Sequence, residues 1–147
     1  GGLGQTLLEG DLRPGNSPAA VSFEGTLSLS QSSTTVIELA GTVIDSEYDA
    51  INVDETFYLD GLLEIALLDG FMPMGGEQFD IITAGLLWGD FDDQMLPTLH
   101  DGLSWNVLQD SQSISLQVLG SVAVPEPSTV AMAAIGLVGL LAYRRFR

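Results

Sequence analysis

Cysteine and lysine are both absent, and His100 is the only histidine. Without Cys there is no disulfide framework, no thiolate metal site and no Cys nucleophile. Without Lys, and with one His, few groups remain for acid–base or covalent catalysis. Positive charge is scarce as well. Four Arg face 20 acidic residues, for a formal net charge of −16. Nucleic-acid binding needs a basic face to neutralise phosphate, so this balance argues against it. What is present is apolar matter: 46% of the 147 residues are hydrophobic, enough for a core and too much for wholesale disorder. The length allows one ordinary domain, or a small domain with an appendage.

The charge is segregated. Arg144, Arg145 and Arg147 occupy the last four positions, whereas residues 1–124 carry 19 acidic residues against Arg13 alone. Such asymmetry points to two segments in different surroundings. The tail reads Val124-Pro125-Glu126-Pro127-Ser128-Thr129, then an uncharged run from Val130 to Tyr143, then the Arg cluster. As a helix, residues 130–143 would rise ~21 Å at about 1.5 Å per residue. A hydrocarbon core is roughly 30 Å thick, so this helix is short for a permanent span. Thr129 and Ser128 extend it, and the Arg side chains can snorkel to the interface. The prolines block helix propagation upstream. The basic cluster favours the cytoplasmic side, which places residues 1–124 across the membrane.

These three elements, in this order and spacing, resemble the PEP-CTERM signal of Gram-negative bacteria. The resemblance covers about residues 124–147. It implies recognition by exosortase, an integral-membrane cysteine protease or transpeptidase, with processing near Pro125-Glu126-Pro127. Val124, Pro125, Glu126, Pro127, Ser128 and Thr129 are then the processing motif, and Arg144, Arg145 and Arg147 the topology tail. Two prolines also hold the motif extended, the form in which a protease cleft takes a backbone.

No N-terminal signal peptide is visible: the sequence starts Gly1-Gly2-Leu3-Gly4, without Met or a basic-then-apolar run. The expectation is a C-terminal piece of a longer exported precursor. The body alternates apolar and polar residues with period two, the mark of strands. The runs are Val21–Phe23, Thr26–Ser30, Thr35–Leu39, Ala50–Val53, Thr56–Leu59, Leu63–Leu67, Gln78–Ile82, Leu103–Val107 and Ser113–Val118. Turns fall at Glu24-Gly25, Asp60-Gly61, Asp69-Gly70, Gly75-Gly76 and Asp101-Gly102. No helical stripe interrupts them.

A β-sandwich and a β-solenoid both fit such strands. The body resembles the C-terminal part of autotransporter-type β-helical passengers. The residues that carry this are Pro14-Gly15-Asn16-Ser17-Pro18, Glu47-Tyr48-Asp49-Ala50-Ile51-Asn52-Val53, Gly61-Leu62-Leu63-Glu64-Ile65 and Phe79-Asp80-Ile81-Ile82-Thr83-Ala84. The expected fold is therefore mainly β: right-handed β-helix or solenoid coils with a sandwich-like cap from Leu86 to Val118, plus one C-terminal hydrophobic helix. The expected organisation is a solenoid-like module over 1–120, a linker with the Pro-Glu-Pro motif over 121–129, a hydrophobic transmembrane helix over 130–143 and a basic cytoplasmic tail over 144–147.

Catalytic signals are weak. His100 has Asp101 and Ser104 as sequence neighbours, but adjacency is not triad geometry, and a surface turn is the plainer reading. Acidic clusters at Asp45/Glu47/Asp49, Asp54/Glu55 and Asp90/Asp92/Asp93 could supply oxygen ligands to Ca²⁺. None fits an EF-hand loop. Gly75–Ile82 and Gly1–Leu7 each miss one position of the Ca²⁺-binding β-roll repeat, Gln78 replacing Gly and Thr6 replacing Asp. Ordinary turn and surface charge is the plainer reading here too. Trp88 and Trp105 are expected in the core or cap. No Walker loop, dinucleotide fingerprint, zinc spacing or lipase elbow is present.

The expected protein is thus not an enzyme and carries no cofactor or metal. It is an exported surface or matrix structural protein of the bacterial cell envelope. It is anchored with its body outside the cytoplasm, then released to the outer surface or matrix after processing. Expected partners are exosortase, the membrane through the C-terminal helix, and exopolysaccharide. Two alternatives stand beside it: a polysaccharide-binding or polysaccharide-cleaving β-helix with active coils upstream, and a permanently anchored surface protein.

Overall fold

The structure, a computed structural model, describes residues 4–14 and 18–120. The described residues form eleven strands, eight of them on the alternating runs: β1 (Gln5–Leu8), β2 (Asp11–Leu12), β3 (Ala20–Phe23), β4 (Thr26–Leu29), β5 (Thr34–Leu39), β6 (Ala50–Tyr58), β7 (Leu62–Leu67), β8 (Gln78–Trp88), β9 (Asp93–Met95), β10 (Ser104–Gln109) and β11 (Ser113–Leu119). No helix occurs among the described residues. The strands form two sheets. The larger has the order β1-β4-β6-β8-β11-β10, with β3 also pairing β6; the smaller has the order β2-β5-β7-β9.

The smaller sheet is parallel throughout. The larger is mixed. β1, β3, β4, β6 and β8 pair in parallel, whereas β11 runs antiparallel to both β8 and β10. In-register pairing stacks like on like across the larger sheet: Leu27 lies beside Phe57, and Phe57 beside Leu87. Val21, Ile51 and Ile82 form a second such row. With Ile37, Leu39, Leu63 and Ile65 of the smaller sheet, these side chains make one core. Tyr48 and Phe71 meet Phe79 edge-on, and Trp105 packs against it at a tilt. Burying a side chain of this size stabilises by about 1.5–3 kcal/mol.

A shared kink crosses the larger sheet. β3 and β4 are separated by Glu24-Gly25, β6 bulges at Asp54-Glu55, and β8 passes the same level at Gly85. A Cβ on Gly85 would lie 2.6 Å from the Asp54 carbonyl oxygen, so the bulge tolerates only glycine there.

The expected right-handed β-helix with a sandwich-like cap is not what forms. Coils of a fixed period need strands of matched length. Here the strands of the larger sheet grow from four residues in β1 and β4 to nine in β6 and eleven in β8. The segment 40–49 interrupts the pattern with isolated bridges Leu39–Tyr48 and Ile44–Tyr48. Residues beyond Leu86 do not build a separate sandwich either. β10 and β11 extend the existing sheet antiparallel from β8. The result is a mainly β structure of one mixed and one parallel sheet. The expected helix over 130–143 lies outside the described residues, as do residues 121–129 and 144–147.

Candidate functional site

The acidic clusters come first, because sequence alone leaves them open as ligand sites. Asp49 is 1% exposed. Its Oδ1 accepts the Ala19 N–H (2.7 Å), and its Oδ2 accepts the Glu38 N–H (2.8 Å). Burial pushes its carboxyl up from the ordinary value; the two amide donors pull it back, and the nearby Glu38 charge adds to the rise. Asp45 accepts the Ala20 N–H at 2.8 Å. Glu47 Oε1 accepts the N–H groups of Thr42 and Val43, each at 3.1 Å. All three carboxylates of segment 40–49 therefore serve as acceptors for local backbone. Asp45 and Asp49 tie the segment to β5 and to the start of β3, whereas Glu47 fastens the segment to itself.

The acids around the β8–β9 turn behave differently. Asp92 donates its backbone N–H to the Gly61 carbonyl (2.7 Å), which ties this turn to the one before β7. Its carboxyl is raised by partial desolvation, then by a shared hydrogen bond and like-charge repulsion with Asp60. Asp93 accepts the Gln94 N–H and Asp60 the Gly61 N–H. Among the described residues no three His, Cys, Asp or Glu side chains converge as a metal centre would require.

His100 lies in the turn closed by the Leu103 N–H to the His100 carbonyl (3.0 Å). Its Nε2 is 3.7 Å from Asp101 Oδ2. Positive φ at Asp101 and Gly102 shapes this turn. Ser104 starts β10 and is exposed. Gly75 and Gly76 form the turn before β8. Asp80, the acid of that glycine-rich repeat, lies on the sheet face, accepting from Ser115 Oγ (2.8 Å) and Gln78 Nε2 (3.1 Å).

That outward face of the larger sheet holds features that sequence reasoning missed. Ser22, Asn52, Thr83 and Ser113 stand in register across β3, β6, β8 and β11. Thr83 Oγ1 donates to Asn52 Oδ1 at 2.7 Å. Beside this row an open depression of about 420 Å³ is lined by Asp80, Leu108, Gln109, Asp110, Ser113 and Ser115, among others. Further along the same strands, Tyr58 and Trp88 are register partners and point outward, 40% and 63% exposed. Leu7 is also exposed and pairs with Ser28 on the adjoining strands.

Trp88 thus corrects the expectation of a residue in the core or cap, being 63% exposed. The run Leu86-Leu87-Trp88 is apolar at every position, so alternation could not say which side chain faces in. The bulge opposite Gly85 sets the phase, with Leu87 in and Trp88 out. Trp105 is partly buried as expected, its Nε1–H donating to the Pro97 carbonyl at 2.9 Å.

The sequence-derived processing residues, Val124 to Thr129, and the basic residues Arg144, Arg145 and Arg147 all lie outside the described residues. β11 is the last strand among the described residues. β11 lies between β8 and β10, and it closes on the Gly75-Gly76 turn through the Gly76 N–H to the Val118 carbonyl (2.8 Å) and the Val118 N–H to the Glu77 carbonyl (2.9 Å). The Cβ of an alanine at position 75 would meet the Gly120 Cα at 2.9 Å. No described helix is long and apolar enough to cross a membrane.

Comparison with protein families matches residues 123–146 to the PEP-CTERM protein-sorting motif. This carries a plain consequence: the C-terminus is a sorting signal of the kind exosortase processes on secreted surface proteins. The match stops at the tail and gives no support to the autotransporter-type resemblance of the body. No curated protein matches the chain significantly in sequence.

Proposed function

We infer that the protein is a non-enzymatic, structural component of the bacterial cell envelope or its surrounding matrix, delivered there by its C-terminal tail. The observation that carries this is the sorting motif at residues 123–146. In this reading residues 130–143 pause in the membrane as a short helix, Arg144, Arg145 and Arg147 stay on the cytoplasmic side, and exosortase acts near Pro125-Glu126-Pro127. The body is then released or transferred outward.

Two features of the body support a structural role. The buried Asp49 and its neighbours Asp45 and Glu47 are engaged with backbone donors. His100, the one imidazole, sits in a turn beside Asp101. The covalent path also suits tail processing. Six peptide links join Gly120 to Glu126, which at ~3.3–3.6 Å per residue lets Glu126 stand at most about 22 Å from Gly120. The protease must therefore work close to the β11 end of the sheet.

The test is mass spectrometry of the mature protein from cells that export it. Loss of everything beyond the Pro-Glu-Pro motif is expected, and Glu126→Ala should leave the precursor uncut. A mature protein that keeps Arg147 would favour the permanent anchor instead. Protease added outside spheroplasts should digest residues 1–124; protection of that body would overturn the topology.

A further inference from the structure

We propose that β10 is a self-association edge: it pairs antiparallel with β10 of a second copy of this chain, about a two-fold axis at Val107. The first ground is what this edge lacks. Sheet edges are ordinarily blunted by shortness, charge, proline or a bulge, because their free N–H and C=O groups template another strand. The other three edge strands follow that rule. β2 has two residues and begins on Asp11, β9 has three and begins on Asp93, and β1 has four and runs straight into Glu9. β10 has six residues, Ser104-Trp105-Asn106-Val107-Leu108-Gln109, with no charge and no proline, and it pairs with β11 without a register shift.

The second ground is which backbone groups are free. The Asp110 N–H donates to the Ser113 carbonyl (3.0 Å) where the β10–β11 hairpin closes. Val118, the register partner of Trp105, turns its own C=O and N–H to Gly76 and Glu77, on the β8 side of β11. Bonded and non-bonded pairs alternate along an antiparallel ladder, so Trp105, Val107 and Gln109 turn their N–H and C=O groups away from β11. Among the described residues none of these groups has a hydrogen-bond partner.

Symmetry selects the occupant. The three free residues are evenly spaced about Val107. An antiparallel copy of the same strand therefore matches all of them at once, Val107 on Val107 and Trp105 on Gln109, for about six new hydrogen bonds; sliding the copy by two residues leaves about four. The centred register sets Asn106 against Leu108 of the other copy on the outward face, and Asp110 against Ser104, so no acid faces an acid. A basic partner finds no carboxylate on this strand to pair with. The two-fold contact also closes on itself. A strand about 20 Å long, at about 3.4 Å per residue, buries well under the roughly 1,600 Å² of a standard interface, so the dimer is reversible and forms at high concentration. The net charge of −16 on each copy opposes it, and salt screens that repulsion. This inference concerns the body alone and does not depend on the sorting reading.

The full chain in mild detergent should be run by analytical ultracentrifugation over a range of concentration and salt. Dimer is expected to grow with both. Val107→Pro removes the central free N–H, which the β11 ladder does not use, and should raise the dissociation constant at least tenfold. The chain has no Cys of its own, so the register can be read by trapping. Under mild oxidation a mixture of Asn106→Cys and Leu108→Cys chains should cross-link into the mixed dimer. Either variant alone should not, because like positions across this axis stand beyond the ~7 Å reach of a disulfide. Val43→Cys, exposed on segment 40–49, controls for random collision. Circular dichroism should confirm that each variant keeps its sheets; if Val107→Pro does not, the trapping decides. Four results each overturn the proposal: the chain stays monomeric throughout, salt abolishes association as it would a contact through the Arg tail, a folded Val107→Pro associates as well as the parent, or the mixture cross-links no faster than the single variants.

Discussion

The segment 40–49 and the stretch Asp90–Asp93, which is the β8–β9 turn and the first residue of β9, hold three acidic residues each, and Asp92 of the second is set unlike those of the first. In the first, every carboxylate faces backbone N–H groups: Asp45 takes Ala20, Glu47 takes Thr42 and Val43, and Asp49 takes Ala19 and Glu38. In the second, Asp92 faces another carboxylate, that of Asp60. The lesson is that an acidic cluster read from sequence has no fixed meaning. A carboxylate surrounded by donors is a structural fastener, whereas one set against its own kind stores repulsion that a proton relieves.

The sharpest way to break the comparison is Asp49→Ala. It would leave the Ala19 and Glu38 amides without acceptors in a buried place, and each orphaned donor costs about 1–3 kcal/mol. The expected loss is about 2–4 kcal/mol, read as a fall in the denaturant midpoint with an unchanged slope. Asp49→Asn should cost less, because its carbonyl oxygen still accepts one of the two.

Thr35 supplies a third case, a polar group with no partner of either kind. Its side chain is fully buried, and Oγ1 makes no hydrogen bond in the structure. It stands in register with Leu12 and Leu63 across the smaller sheet. Thr35→Val keeps the shape and removes the orphaned hydroxyl, so it should stabilise by about 1 kcal/mol in the same melt.

The smaller effects depend on pH. Asp110 accepts N–H groups from Gln112 and Ser113, both at 2.8 Å, and its carboxyl is lowered chiefly by these bonds. A lowered carboxyl contributes stability above its unfolded value and loses it as pH falls through the folded one. Asp110→Asn should therefore lower Tm at neutral pH and converge with the parent in acid. Asp92 is raised, so its contribution is full below the unfolded value and is lost as pH rises through the folded one. Asp92→Asn should raise Tm slightly at neutral pH and have no effect in acid. Asp49 shares that upward direction, so the parent should melt higher at about pH 4.5 than at pH 8, helped by relief of general repulsion.

Much of the strand pattern was legible. Alternation places Thr26–Ser30, Leu63–Leu67 and Ser113–Val118 within a residue or so of where β4, β7 and β11 form. The Asp-Gly turns are legible too: Asp69, Gly70, Asp101 and Gly102 all take positive φ. Three things were not. β1 and β9 are short and mostly exposed, so they leave little periodic trace. The second half of β8 runs past Gly85, where sequence suggests a break. The arrangement of strands into two sheets depends on pairings between distant residues, such as Ile51 with Ile82, and no local pattern encodes these. At the candidate sites, the sorting tail was readable because its motif is contiguous. The outward polar row was not, because Ser22, Asn52, Thr83 and Ser113 meet only through strand register.

The place of β11 sets a timetable. Among the described residues it is the last strand in chain order, yet it sits inside the larger sheet and bridges β8 and β10. The growing chain therefore cannot join β10 to the sheet until residues 113–119 have left the ribosome. Completion of the larger sheet thus waits on a strand that lies only a few residues before the delivery signal.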